Sequence, residues 1–147
     1  MMLAAPLLVG SLMIGVVAVL QALAIGIVVR LVRPDLARED PPDDLLHDVG
    51  LFLRALLVMV AAQLAQIGAW ASLFYGLGEF RDFPTAYYHS AVNFTTLGYG
   101  DIVMSPRWRL LGPLEAIAGM LMFGISTAGL FGVALALIRR HEGTWIR

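Results

Sequence analysis

Two sets of residues in this 147-residue chain could do chemistry: a run of threonines and glycines rich in accessible backbone oxygen, and a thin scatter of acids and histidines. The run is Thr95-Thr96-Leu97-Gly98-Tyr99-Gly100-Asp101. Glycines at alternate places permit backbone angles that an L-residue resists, and such alternation can turn successive carbonyl oxygens toward one side. Several copies around an axis would stack those oxygens into rings that replace the hydration shell of a cation. Acid-base or metal chemistry has less support. His47, His89 and His141 lie in three separate parts of the chain, and neither a His-Glu-x-x-His nor a Gly-x-Ser-x-Gly run occurs. An enzyme is not expected. The absence of cysteine excludes disulfides, thiolate nucleophiles and cysteine zinc sites. Ten basic and 11 acidic residues leave a net charge of -1, which provides no field for nucleic acid.

The elements that must hold the run are read from hydropathy. With 59% hydrophobic and 14% charged residues and a mean hydropathy of +0.80, the chain suits a bilayer better than water. A spanning helix needs roughly 20 apolar residues, and three stretches reach that length: Leu7 to Val29, Leu51 to Leu77, and Leu110 to Ile138. The first has no basic region before it and is too long for a signal-peptide core, so it is expected to remain as a helix. Between Phe83 and Thr96 the chain is too apolar for an exposed loop and too short to span. Asp82 before Pro84 supplies a helix start with proline at the first position. These features predict a short helix that enters the membrane and stops at the glycine run. Non-helical backbone at that depth is tolerated only inside protein or against water, and one chain with three spans cannot enclose it.

Arginine-rich loops stay cytoplasmic. Arg30, Arg33 and Arg38 follow the first span and Arg139, Arg140 and Arg147 end the chain, against Arg81, Arg107 and Arg109 in the remaining loop. This bias places the N-terminus outside, the C-terminus inside and residues 78–109 on the outer side of a multi-pass cell-membrane protein, with Arg54 snorkelling from the second span. The acids Asp35, Glu39, Asp40, Asp43, Asp44 and Asp48, grouped around Pro41 and Pro42, are expected to be solvated. Leu45, Leu46, Val49, Phe52 and Leu53 then repeat at helical spacing, which predicts an interfacial helix leading into the second span. No span repeats arginine at every third position, so no voltage sensor is expected. With only seven residues beyond Arg140, opening is expected to depend on the pore, the lipids or an unidentified regulatory subunit.

The Thr-x-Gly-Tyr-Gly-Asp run resembles the selectivity filter of potassium channels, and the resemblance covers residues 50–140 as outer helix, pore helix, filter and inner helix. It implies an all-α integral membrane fold of three transmembrane helices plus a re-entrant pore helix and filter. It further implies a homotetramer in the bilayer, with K+ as permeant ion and no other cofactor; a weakly selective cation channel is the alternative. Residues 1–33 would be an extra N-terminal helix, 34–49 an acidic loop and interfacial helix, and 141–147 a short tail. By the same resemblance, K+ would meet the carbonyls of Thr96, Leu97, Gly98 and Tyr99 and the Thr96 hydroxyl, with Gly100 closing the outer end. Tyr99 would turn its ring into an aromatic belt drawn from Tyr87, Tyr88 and Trp108, and the Tyr88 hydroxyl would bond Asp101. Gly119 falls at the family's hinge glycine, and Met120, Phe123, Thr127 and Phe131 would line the cavity below the filter.

Two departures concern the filter: Leu97 replaces the commoner valine, and Val92 stands where some relatives carry a supporting glutamate. Glu115 is the only acid well inside an apolar span. With Ser105 as cap and Pro106 as first residue of the third span, it would lie roughly 13 Å from that helix start. A buried carboxylate needs a partner, so Glu115 is expected to brace the pore helix through Ser72, His89, Ser90, Asn93 or Thr95.

Overall fold

A computed structural model describes residues 3–38 and 44–142, with the side chains of His141 and Glu142 left aside. The expectations placed on Glu39, Asp40, Asp43 and Arg147 lie outside these residues. Four helices follow in order: α1 (Ala4–Leu36), α2 (Leu45–Gly76), α3 (Phe83–Phe94) and α4 (Leu111–Glu142). α1, α2 and α4 are long and apolar enough to cross a membrane. The 33 residues of α1 extend about 50 Å at 1.5 Å per residue, beyond a hydrocarbon core of about 30 Å.

The boundaries differ from the expected ones in three places. α1 continues past Val29 through Pro34 to Leu36, so Arg30 and Arg33 occupy its last turns rather than a loop. Arginine suits a helix C-terminus and can reach water from there. The interfacial helix does not exist as a separate element, because the helix that begins at Leu45 runs unbroken into the second span. Its cap is Asp44, whose Oδ1 accepts the Leu46 N–H at 3.0 Å. Finally, Ser105 does not cap α4. The chain turns through residues 106–110, with Trp108 and Arg109 donating to the Ser105 carbonyl, and α4 starts at Leu111. Proline at 106 is compatible with a tight turn as well as with a helix start, and the turn prevails here.

The helices enclose two apolar clusters. Nearer the glycine run, Val17, Trp70, Phe74, Phe94, Trp108, Leu111 and Met122 are buried together; at the other end Ala24, Val28, Leu51, Met59, Val133 and Leu137 are. Between the clusters lies a polar layer. Gln21 and Gln63 each donate through Nε2 to Ser126 Oγ, at 2.9 and 2.8 Å, and Gln66 Nε2 donates to Gln21 Oε1 at 2.9 Å. Buried amides need such partners in a medium without water. The layer fastens α1 to both α2 and α4, and Gly10 brings α1 close to α4, since a Cβ there would lie 2.4 Å from the Leu114 side chain.

At the end opposite the glycine run, two acids expected to be solvated are instead paired. Asp48 meets Arg140 at 2.6 Å, and Asp35 lies 3.2 Å from Arg38 and 3.5 Å from His47.

Candidate functional site: the re-entrant segment

The sequence around Asp82 folds locally as its capping chemistry requires. Asp82 Oδ1 accepts the Thr85 N–H at 2.8 Å and Oδ2 accepts the Thr85 hydroxyl at 3.0 Å. These bonds hold the Asp82 carboxyl below its ordinary pKa. The helix they start is α3, whose buried face comprises Ala86, His89, Ser90, Val92 and Phe94.

α3 ends by handing its last carbonyls to the glycine run. Thr96 N–H donates to Asn93 O at 2.8 Å, while Leu97 and Gly98 N–H both donate to Val92 O, at 3.0 and 3.2 Å. The next residues alternate in hand. Thr96, Gly98 and Gly100 have φ of 61°, 59° and 73°, whereas Leu97 and Tyr99 between them do not enter the positive region. Glycine enters it freely, but a β-branched threonine there is strained, at a cost of about 1–3 kcal/mol that persists only where the surroundings impose it. Residues 95–100 are all exposed on the single chain.

Past the run, two side chains of α3 secure the chain on its way out. Tyr88 donates its hydroxyl to Asp101 Oδ2 at 2.8 Å, and this bond holds the Tyr88 phenol above its ordinary pKa. His89 is buried between Phe80 and Phe74, at 4.8 and 5.7 Å between ring centres. Its Nδ1 lies 3.1 Å from the Ile102 carbonyl and its Nε2 lies 2.8 Å from Asn93 Nδ2. Those partners assign the neutral ring with hydrogen on Nδ1, donating to Ile102 and accepting from Asn93. Further along, Glu79 accepts Ser105 N–H at 2.6 Å and Ser105 Oγ–H at 2.8 Å. The reading of the sequence missed His89 as a tie to Ile102 and missed Glu79 altogether. Glu79 and Ser105 are 26 residues apart, and no local pattern links them.

Of the five partners considered for Glu115, the hydroxyl of Ser90 reaches it, and the side-chain amide of Asn93 interacts with the same carboxyl more weakly. Ser90 Oγ is 2.5 Å from Glu115 Oε1 and 2.8 Å from Ile67 O, and both side chains are fully buried. Because α4 starts at Leu111, Glu115 lies only about 6 Å along the helix, not 13 Å. It still stands against the buried face of α3.

Gly119 is placed by contact. A Cβ at this position would lie 1.9 Å from Phe94 O and 2.8 Å from Phe94 C, so α4 can touch the end of α3 only without a side chain there. Met120 and Phe131 are exposed on the single chain, Phe123 packs its ring 5.8 Å from that of Phe94, and Thr127 donates to the Phe123 carbonyl at 2.9 Å. The four lie on the side of α4 away from Ala118, Met122 and Ser126. The aromatic belt around Tyr99 is not assembled within one chain. Trp108 is buried under Arg107, Tyr87 packs on Phe83, and no described ring contacts Tyr99, which is 67% exposed. Tyr99 projects off the chain, while its expected partners Tyr87 and Trp108 are held against other side chains.

Neither the curated proteins nor the solved structures contain a significant match to the chain. A family model described as an ion channel, of the pore type with two transmembrane helices, matches residues 56–136. That range takes in most of α2, all of α3, the glycine run and α4 as far as Ala136. Since it exceeds half of the chain, the protein belongs to this ion-channel family.

Proposed function

We propose that four copies of the chain surround one axis and conduct K+ selectively and passively, with the Thr96–Gly100 segments as the ion path. The alternating hand of Thr96, Gly98 and Gly100 carries this reading. Alternation of that kind turns successive carbonyls to one side, and four such rows would form the stacked oxygen rings that a dehydrated cation requires. The segment is exposed on one chain, and non-helical backbone at membrane depth must be covered by protein or water. Symmetric copies supply both.

In this arrangement Thr96, Leu97, Gly98 and Tyr99 offer carbonyls to K+, Thr96 adds its hydroxyl, and Gly100 ends the row. Asp101 and Tyr88 secure the outer mouth. Glu115 supports the pore helix from behind, and Met120, Phe123, Thr127 and Phe131 face the inner cavity. Tyr99 finds its aromatic neighbours on an adjacent subunit. The arginine bias puts the filter end outside the cell membrane and Arg140 inside.

The test is flux from purified protein in liposomes and reversal potential in mixed K+ and Na+. The reversal potential is expected to follow K+, and Gly98→Ala, which forces a side chain onto a backbone at φ 59°, is expected to abolish the current. Equal permeability to the two ions would instead establish the weakly selective channel.

A further inference from the structure

Below the polar layer, a groove of about 460 Å³ lies between α1 and α4. Its walls are apolar side chains and glycines: Val28 and Val32 of α1, Gly132 and Ala136 of α4, and Met59 of α2 among them. The exception is Arg33, at the end of the groove away from the filter. Arg33 is exposed and makes no ion pair among the described residues, whereas Arg38 and Arg140 in the same region are paired to Asp35 and Asp48. An apolar slot capped by one unpaired guanidinium has the chemistry of a bilayer component: tail in the slot, anion on the arginine.

We propose that this groove seats one acyl chain of an anionic phospholipid whose headgroup phosphate is held by Arg33. Hydrocarbon tails are as apolar as leucine, so they fill a membrane groove at no desolvation cost. Basic pockets between transmembrane helices select anionic headgroups, and guanidinium suits phosphate in charge and in donor geometry. A second copy of the chain fits the charge less well. To satisfy Arg33 it would have to bring an acid to this level, and Asp35 and Asp48, two of the described acids at this end, already hold arginines. The seat spans the seam between the N-terminal helix and the inner half of α4, so an occupant would stabilise the contact between them.

The experiment is native mass spectrometry of the full chain extracted from bilayers of phosphatidylcholine mixed with phosphatidylglycerol. The wild type is expected to retain phosphatidylglycerol preferentially. Arg33→Gln, at an exposed position, should lower the retained phosphatidylglycerol-to-phosphatidylcholine ratio about fivefold, the effect of one interfacial basic charge. Gly132→Leu should reduce retention of both lipids, because a Cβ there meets nothing within 4 Å and the longer side chain would occupy the groove. An unchanged ratio in Arg33→Gln, or unchanged retention in Gly132→Leu, would overturn the assignment. So would loss of the oligomer in either variant without any lipid retained by the wild type, which would identify the groove as a contact between copies. Retention is read without current, so the result is independent of ion selectivity.

Discussion

Replacing Gly119 by alanine tests whether the filter is seated on the inner helix as described. The added Cβ would lie 1.9 Å from Phe94 O, 2.8 Å from Phe94 C and 3.2 Å from Phe94 Cα. Restoring even a tight contact of 3.0 Å to the oxygen requires α3 and α4 to part by about 1.1 Å, and the obstacle is backbone, which cannot rotate away. Overpacking of a core costs typically 1–3 kcal/mol, and this case belongs at the upper end because both sides are helix backbone. Alanine returns about 1 kcal/mol of helix propensity, leaving a net loss of about 2 kcal/mol, or roughly thirtyfold in the folded ratio. The displaced group is the last residue of the pore helix, next to Thr95, so ion selectivity should deteriorate together with stability. The control is Gly15→Ala on α1, where a Cβ meets nothing within 4 Å and the propensity gain stands alone. Thermal retention of the oligomer and K+ against Na+ flux are the assays. A glycine that serves only as a hinge would change opening while leaving assembly and selectivity intact. Wild-type stability and selectivity in Gly119→Ala would refute the close approach.

Four further outcomes are expected. Tyr88→Phe removes the hydroxyl donated to Asp101 and should speed the loss of current during sustained conduction; an unchanged time course would mean that Asp101 is held by solvent alone. Glu115→Gln should preserve oligomer yield and current, because its amide can donate to Ser90 Oγ, whereas Glu115→Ala leaves a cavity and should cost about 2–4 kcal/mol in thermal unfolding; equal behaviour of the two would disprove the bracing role. Gln21→Leu deletes the α1 contributions to the bonds with Ser126 and Gln66 and to the weaker one with Met59 Sδ and should lower stability by about 1–2 kcal/mol, read as reduced thermal retention of the oligomer. Cysteines introduced at Ala4 and Gly143 should react with an impermeant reagent from outside and inside respectively, in a chain with no native cysteine; the reverse pattern would invert the proposed orientation.

The sequence made local features legible and hid those that depend on distant residues. Asp82 and Pro84 marked the start of α3 because capping is decided within four residues, and the alternating glycines foretold the alternating backbone for the same reason. The spans were legible as apolar runs, but their ends were not. Hydropathy assigns Arg30 and Arg33 to a loop, although long side chains let a helix carry them, and it cannot distinguish an interfacial helix from the first turns of a span. The Ser105-Pro106 pair has the composition of a helix cap, yet Glu79 takes both the Ser105 N–H and hydroxyl and holds the segment as a turn. Glu115 announced itself by being charged in an apolar run, and its need for a partner limited the candidates to five. Choosing Ser90 and Asn93 among them required the packing of α3 against α4. Gly119 could be noticed as a glycine but not as a contact, since the atom it accommodates belongs to Phe94, 25 positions earlier.

Two fastenings on α4 make its movement a shared event. Gly119 abuts Phe94 O at the end of α3, and seven residues on, about 10 Å along the helix, Ser126 accepts from Gln21 of α1 and Gln63 of α2. A tilt of α4 about Gly119 by roughly 15°, a size common in conformational switching, would carry Ser126 about 3 Å. Hydrogen bonds of 2.8 and 2.9 Å do not survive such a displacement. α1 is tied to α4 through Gln21, and α2 is tied to both, because Gln63 reaches Ser126 while Gln66 reaches Gln21. Either the polar layer breaks or the three helices move as one body. In the second case the contact of Gly119 with Phe94 O is where that motion meets the end of α3. The N-terminal helix is therefore built into the same packing unit as α2 and α4: the Gln21 amide that joins it to Ser126 of α4 is the one to which Gln66 of α2 donates.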